Sequence, residues 1–221
     1  MAANFFHMCL GEVPHDEIVE AFDGTLTMYA EHGFNASTFS ARVIVSTLSD
    51  LCGAISGAIA TLKGSLHGGA NEAVMVMLQE IGTPDNALPW LEEKLAAKEK
   101  VMGFGHRIYR HGDSRVPTMK KYFNQMAQLK DGQQWVEIAD LLEREMIARK
   151  NIHPNLDFPA GPAYYLMGFE IDLYTPIFVM ARAAGWIAHV AEQLADNRLV
   201  RPLADYVGAE PRSVAPISKR D

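Results

Sequence analysis

The chain has 221 residues, 48% of them hydrophobic, with 20 Lys+Arg against 27 Asp+Glu and a formal charge of -7. That length and apolar content can bury a sizeable core, as one large domain or two modest ones. The acidic balance argues against broad nucleic-acid or acidic-membrane binding, so an anionic ligand must meet a local cluster of Arg.

Cys9 and Cys52 lack metal-ligand spacing, and two cysteines in a chain of this size suit a reducing compartment. There is no basic segment leading into an apolar one and no apolar run long enough to span a bilayer, which makes the cytoplasm the expected location.

In chain order, Pro14 followed by Asp16 and Glu17 predicts a helix start, running to about Tyr29. From Asn35, the residues Phe39, Val43, Leu48, Leu51, Ile55, Ile59 and Leu62 recur at steps of three to five. This predicts one long buried helix with a bend near Gly53 or Gly57. A helix from Ala70 to Ile81 is ended by Gly82 and Pro84. Pro89 opens a charged helix to about Lys98, and Thr118 to Leu129 and Gln133 to Arg149 form an amphipathic pair joined by Lys130-Asp131-Gly132. Tyr174 to Asn197 is long and apolar on most faces, as in a core or interface helix. Period-two alternation is almost absent, so the expected class is all-α with little or no sheet. Residues from about 68 to 160 carry shorter helices, more charge and most of the Gly and Pro punctuation. The expected organisation is therefore a large domain from 1–67 and 161–221 with a smaller domain, 68–160, inserted in it. After about Gly208 the polar tail, with Pro211 and Pro216, is expected to be disordered.

Three short strings carry chemistry. They are Gly64-Ser65-Leu66-His67-Gly68-Gly69-Ala70-Asn71-Glu72, Gly103-Phe104-Gly105-His106-Arg107 and Asn155-Leu156-Asp157-Phe158. Each sets one titratable side chain among residues that bend or expose backbone. Two imidazoles and a carboxylate suit proton abstraction beside a carbonyl followed by attack on a second carbonyl. Asp157 taken alone could simply cap a turn between Pro154 and Pro159. The remaining histidines His7, His15, His111, His153 and His189 lack such surroundings and read as structural or solvated. The 11 methionines read as core filling.

In order and spacing these strings resemble the citrate synthase family. So do Glu31-His32-Gly33-Phe34-Asn35-Ala36-Ser37-Thr38, Gly112-Asp113-Ser114-Arg115, Ala181-Arg182 and Arg201-Pro202. The run Gly112 to Lys120, with Asn155 to Pro159, is most similar to bacterial 2-methylcitrate synthases and their dual-specificity citrate synthase relatives. The resemblance covers Asn4 to Gly208 and implies a multi-helical fold, a homodimer, and an acyltransferase that condenses acetyl-CoA or propionyl-CoA with oxaloacetate. It implies no metal and no cofactor, since acyl-CoA is a substrate; the acidic charge balance separately leads to the expectation of neither a nucleic-acid nor a membrane partner. By the same resemblance Asp157 is the base, His67 donates to the thioester oxygen and His106 polarises the oxaloacetate ketone. A helix beginning near Ala70 would favour a neutral His67. His32, Arg115, Arg182 and Arg201 would hold the two carboxylates, Arg201 from across the dimer. Val101, Met102, Gly103, Phe104, Gly105 and Arg110 would lie along the CoA. Asn35 and Ser37 would orient the histidines.

Members of this family carry a helical region ahead of the segment that begins here at Asn4. The chain is therefore expected to be the C-terminal part of a synthase. The competing expectation is a catalytically incompetent fragment that retains only dimerising helices.

Overall fold

The computed structural model describes residues 1–64, 66–106, 108–109 and 111–220. Among them the chain forms α1 (Ala2–Leu10), α2 (Asp16–Tyr29), α3 (Ala36–Ser46), α4 (Leu51–Leu62) and α5 (Ala70–Ile81). Then follow α6 (Pro84–Ala96), α7 (Val116–Leu129), α8 (Gln133–Lys150), α9 (Asp157–Leu166) and α10 (Tyr174–Ala195). No strand occurs among the described residues beyond one isolated bridge, Phe104 to Pro154. The all-α expectation is borne out. No helix of the described residues is long and apolar enough to cross a membrane.

Local chemistry explains most boundaries. Asp16 and Glu17 occupy the first turn of α2, where negative charge is favoured. Gly82, at φ 73°, ends α5, and Asn151 closes α8 in the left-handed conformation.

The single helix expected over residues 35–62 is two helices. Leu48 takes a left-handed φ of 65° and Asp50 accepts the Gly53 N–H at 2.7 Å as a new N-cap. Nor is the apolar repeat a buried stripe: of its seven residues only Leu62 is buried, Phe39, Leu48, Leu51 and Ile59 are exposed, and the core side of the two helices is made by Ala41, Val45, Ala54, Ala58 and Leu62. Gly57 does not bend α4: a Cβ there would lie 2.2 Å from Ile44 Cδ1, so its smallness lets α3 and α4 meet. The charged helix begins at Pro84 rather than Pro89, with Pro84 in the first turn where no N–H partner is lost. Among the described residues no α-helix follows Ala195, so the irregular stretch starts well before residue 208.

Two helices were not expected. The first is α1, whose Phe6 is fully buried against Phe22 and Phe169. The second is α9, which contains Pro159, Gly161 and Pro162, yet eight of its ten residues are buried. Packing against α5 and α7 overrides its weak helix propensity. On the other side, α10 packs on α2, α3 and α4. Asp157, the first residue of α9, thereby comes to the C-terminal end of α2.

Candidate active site

A cavity of about 410 Å³ opens where α2, α5, α9 and α10 converge, lined by His32, His67, His106, Arg115, Asp157 and Arg182 among others. Asn155 builds one wall. Its N–H donates to Gly103 O at 2.9 Å and its Nδ2 to Gly105 O at 3.1 Å, while Gly105 N–H donates to His153 O at 2.8 Å. The same side chain accepts the Asp157 N–H at 3.1 Å. One asparagine thus ties the segment before His106 to the start of α9. Gly103 has φ 80°, and a Cβ there would come within 2.8 Å of Val74 and Phe158 side chains. Its freedom serves internal packing of this wall.

Asp157 is partly buried beside the cavity and accepts a hydrogen bond from the Tyr29 hydroxyl at 2.6 Å. Burial lifts its carboxyl to about 6, opposed by the Tyr29 bond and by the charges of Arg115 and Arg182. His67 lies in the turn before α5, its Nε2 2.8 Å from Ser37 Oγ. Burial, and then the charge of Arg182, lowers it to about 4, so the ring is neutral near pH 7. The neutral state agrees with expectation, but its leading cause is burial, not a helix end. Ser37 Oγ also accepts from Trp186 Nε1 at 3.1 Å and donates to Asn35 Oδ1 at 2.8 Å, which caps α3 through the Thr38 N–H. With the one Ser37 proton on Asn35 Oδ1 the ring proton of His67 lies on Nε2; turning the hydroxyl proton to Nε2 instead would leave the ring proton on Nδ1, which has no partner among the described residues.

His106 is the complementary case. Its Nδ1 accepts the N–H groups of Ile108 at 3.1 Å and Tyr109 at 3.3 Å, so the neutral ring carries its proton on Nε2. Burial lowers its pKa, Asp113 opposes that, and Arg115 reinforces it. Its ring centroid is 5.5 Å from that of His32. His32 is itself lowered to about 4 by burial and then by Arg115, whose NH2 donates to His32 Nε2 at 3.2 Å.

The arginines differ in what they have free. Arg115 donates to both oxygens of Asp113, at 3.0 and 2.6 Å, and to Met28 O at 3.1 Å. Burial alone would raise Asp113, but these bonds hold it below the usual carboxylate range. The planar fork expected to grip a ligand is therefore occupied by Asp113. Arg182, buried in α10, donates Nε to Tyr29 O at 2.6 Å while its NH1 is buried with no partner. Burial, followed by repulsion from Arg115, lowers it to about 10, still a cation at neutral pH.

A second cavity of about 530 Å³ adjoins the first through Leu66, Ala70, Gly105 and Asn155. Val101, Met102, Gly103, Phe104 and Gly105 line it, with Lys98, Lys100 and Lys150.

Residues 1–203 match the family described as citrate synthase, C-terminal domain. The chain belongs to the citrate synthase family. It is 60% identical to 2-methylcitrate synthase of Mycobacterium tuberculosis over 211 residues, covering 96% of this chain and 54% of that protein. It is 58% identical to a citrate synthase of Mycolicibacterium smegmatis, covering 96% of this chain and 57% of the relative. The fold matches a ternary complex of carboxymethyl coenzyme A and oxaloacetate with citrate synthase from Thermoplasma acidophilum. That match has a TM-score of 0.92 at 36% identity, over 99% of this chain and 60% of that one. The chain thus spans somewhat over half the length of the citrate synthases it matches.

Of the residues singled out in this citrate synthase-family sequence, His32, Asn35, His67, His106, Arg115, Asp157 and Arg182 line the first cavity, Val101 to Phe104 the second, and Gly105 both. Arg201 lines neither; it is exposed in the irregular stretch after α10. Arg110, with Ser65 and Arg107 of the motif strings, lies outside the described residues. Tyr29, Asp113, Trp186 and the three lysines were not anticipated. Tyr29 and Trp186 sit on apolar helix faces and carry no sequence signal beyond core packing, while the lysines are scattered along the chain.

Proposed function

We propose that the chain carries the reaction centre of an acyltransferase condensing acetyl-CoA or propionyl-CoA with oxaloacetate, giving citrate or 2-methylcitrate and free CoA. The observation that carries this is the meeting of His67, His106 and Asp157 in one cavity already provided with His32 and Arg182. Asp157 takes a proton from the carbon beside the thioester while His67, with the Ser37 hydroxyl turned to donate to its Nε2, bonds the developing oxyanion through Nδ1–H. The nucleophilic carbon attacks the ketone carbon of oxaloacetate, and His106 Nε2 supplies a proton to the ketone oxygen. Water then cleaves the thioester, releasing the CoA thiol and a third carboxylate. Arg182 and His32 hold the oxaloacetate carboxylates, supported by the unpartnered NH1 of Arg182, and Arg115 joins them only by releasing Asp113 or through the remaining N–H of its NH1. The second cavity takes CoA along residues 101–105, with Lys98, Lys100 and Lys150 facing its phosphates.

In this reading residues 68–160 form the acyl-CoA side, closing on residues 1–67 and 161–221. Exposed Phe39, Leu51, Ile59, Ile187 and Leu194 on α3, α4 and α10 support a homodimer, across which Arg201 would reach. The 2-methylcitrate assignment is placed slightly ahead on string similarity. One extra methylene is worth only about 1–3 kcal/mol of discrimination, so dual activity is expected.

Thiol release with oxaloacetate and each acyl-CoA tests the reading. The rate should rise about tenfold per pH unit up to about pH 6, where Asp157 becomes ionised, and then level, because His67 and His32 are already neutral above about pH 4. A rate flat from pH 5 to pH 8 would remove Asp157 as the base. Arg182→Lys should raise the KM for oxaloacetate roughly 10- to 100-fold, because a lysine cannot keep the Tyr29 bond and also offer a planar fork. An unchanged KM would argue against a carboxylate receptor there.

One observation favours a second reading, a fragment without turnover: the chain covers only 54% of the Mycobacterium tuberculosis 2-methylcitrate synthase to which it is 60% identical. Sizing the purified chain beside the thiol assay separates the two, since an aggregate with no release supports the fragment.

A further inference from the structure

Tyr29 ends α2 with 1% of its surface exposed, its ring 4.3 Å from that of Phe178 and 6.5 Å from that of Tyr164. Its carbonyl accepts from Arg182 Nε at 2.6 Å, and the carbonyl of Met28 beside it accepts from Arg115 NH1 at 3.1 Å. These are the carbonyls a helix end leaves without intrahelical partners. The last turn of α2 therefore holds both arginines through backbone and reaches Asp157 through one side chain.

We propose that Tyr29 is the positioning residue of the base: its hydroxyl, 2.6 Å from Asp157 Oδ1, locks the carboxylate and leaves Oδ2 as the oxygen that accepts the substrate proton. The proposal rests on the reading of Asp157 as the base. Among the described residues Oδ2 has no hydrogen-bond partner, while Oδ1 has Tyr29. A phenol donating to an ionised carboxylate at this distance makes a charge-assisted bond, about twice as strong as a neutral one. The donor role is fixed, because burial and then the charge of Asp157 push the phenol well above its ordinary range, so it keeps its proton. The carboxamide of Asn71, buried with Nδ2 unbonded, adjoins the same phenol. The ring cannot swing away without breaking its packing on Phe178 and Tyr164. Other groups acting on Asp157 are Arg115 and Arg182, which favour its charge, and Asp113, which opposes it; Tyr164 adjoins it and is neutral.

The test is the titration of the Asp157 carboxyl by carbon-13 NMR of the whole chain, assigned by loss of the signal in Asp157→Asn. Tyr29→Phe keeps the ring and removes only the hydroxyl. Its Asp157 midpoint should rise by about one pH unit or more, while Tyr164→Phe leaves the midpoint in place. An unmoved midpoint in Tyr29→Phe overturns the proposal. A second readout needs no Tyr29 variant: above pH 7 the parent should show a downfield hydroxyl proton that moves upfield in Asp157→Asn, and its absence also overturns the proposal. In kinetics, Tyr29→Phe should shift the acid limb of kcat upward by the same amount with an unchanged KM for oxaloacetate, since both arginines are held by backbone. A chain that releases no thiol under any condition would count against the acyltransferase reading, while the titration still decides for Tyr29.

Discussion

Asp157→Asn is expected to lower thiol release roughly 10²- to 10⁴-fold and, at the same time, to make the folded chain more stable near neutral pH. The rate falls because an amide cannot accept the proton, whereas the cavity, His67, His106 and the arginines stay in place. Asn has the same shape, and its oxygen can still accept the Tyr29 bond. The stability rises because burial lifts the folded-state carboxyl to about 6, above its unfolded value. A carboxyl raised on folding binds more protons folded than unfolded. It therefore costs nothing below the unfolded pKa, costs increasingly as pH rises to about 6, and carries a constant penalty above that. Asp157 retains some surface toward the cavity, so the gain is set at up to about 2 kcal/mol. Melting curves of parent and variant should separate at pH 7.5 and converge at pH 4. A variant less stable than the parent at pH 7.5 would show that the carboxylate is a net structural asset, and near-normal turnover would remove it from the chemistry.

The balance between function and stability at Asp157 also marks what the sequence could and could not disclose. The strings around His67, His106 and Asp157 were legible because each couples a titratable residue to neighbours with a local backbone task, such as Asn155 clipping residues 103–105. Helix α5 was legible to the residue, since Gly82 stops an uninterrupted apolar period. The break at residues 47–50 was not, because the period persists across it and a left-handed Leu48 has no compositional mark. Helix α9 was hidden by its own prolines and glycine, for its stability comes from neighbours far away in sequence. Tyr29 was hidden for the opposite reason: a tyrosine on the buried side of an amphipathic helix is ordinary, and only the fold brings Asp157, 128 residues later, to its hydroxyl. Arg115 was singled out by the resemblance, but its bonds to Asp113 follow from side-chain geometry that no string of letters contains.

Trp186→Ala should produce the largest loss of stability, about 3–5 kcal/mol, read as a fall in Tm of roughly 6–20 °C for a chain of this size. The indole is fully buried in α10, so truncation removes its contacts and leaves a cavity that the surrounding helices can only partly fill. The effect should reach the site. Phe178, Arg182 and Trp186 fall at intervals of four on one face of α10, and each meets a different part of the proposed reaction centre. Phe178 packs on Tyr29 at 4.3 Å, Arg182 holds the Tyr29 carbonyl at 2.6 Å, and Trp186 donates to Ser37 at 3.1 Å, beside His67. Without the indole N–H, Ser37 loses one of the donors that fix its lone pairs, and the ring of His67 loses its set orientation. Trp186→Phe separates the two contributions. It restores most of the buried volume without the donor, so most of the stability should return while thiol release stays below that of the parent. Full recovery of both in Trp186→Phe would reduce Trp186 to a packing residue and leave Ser37 to orient His67 unaided.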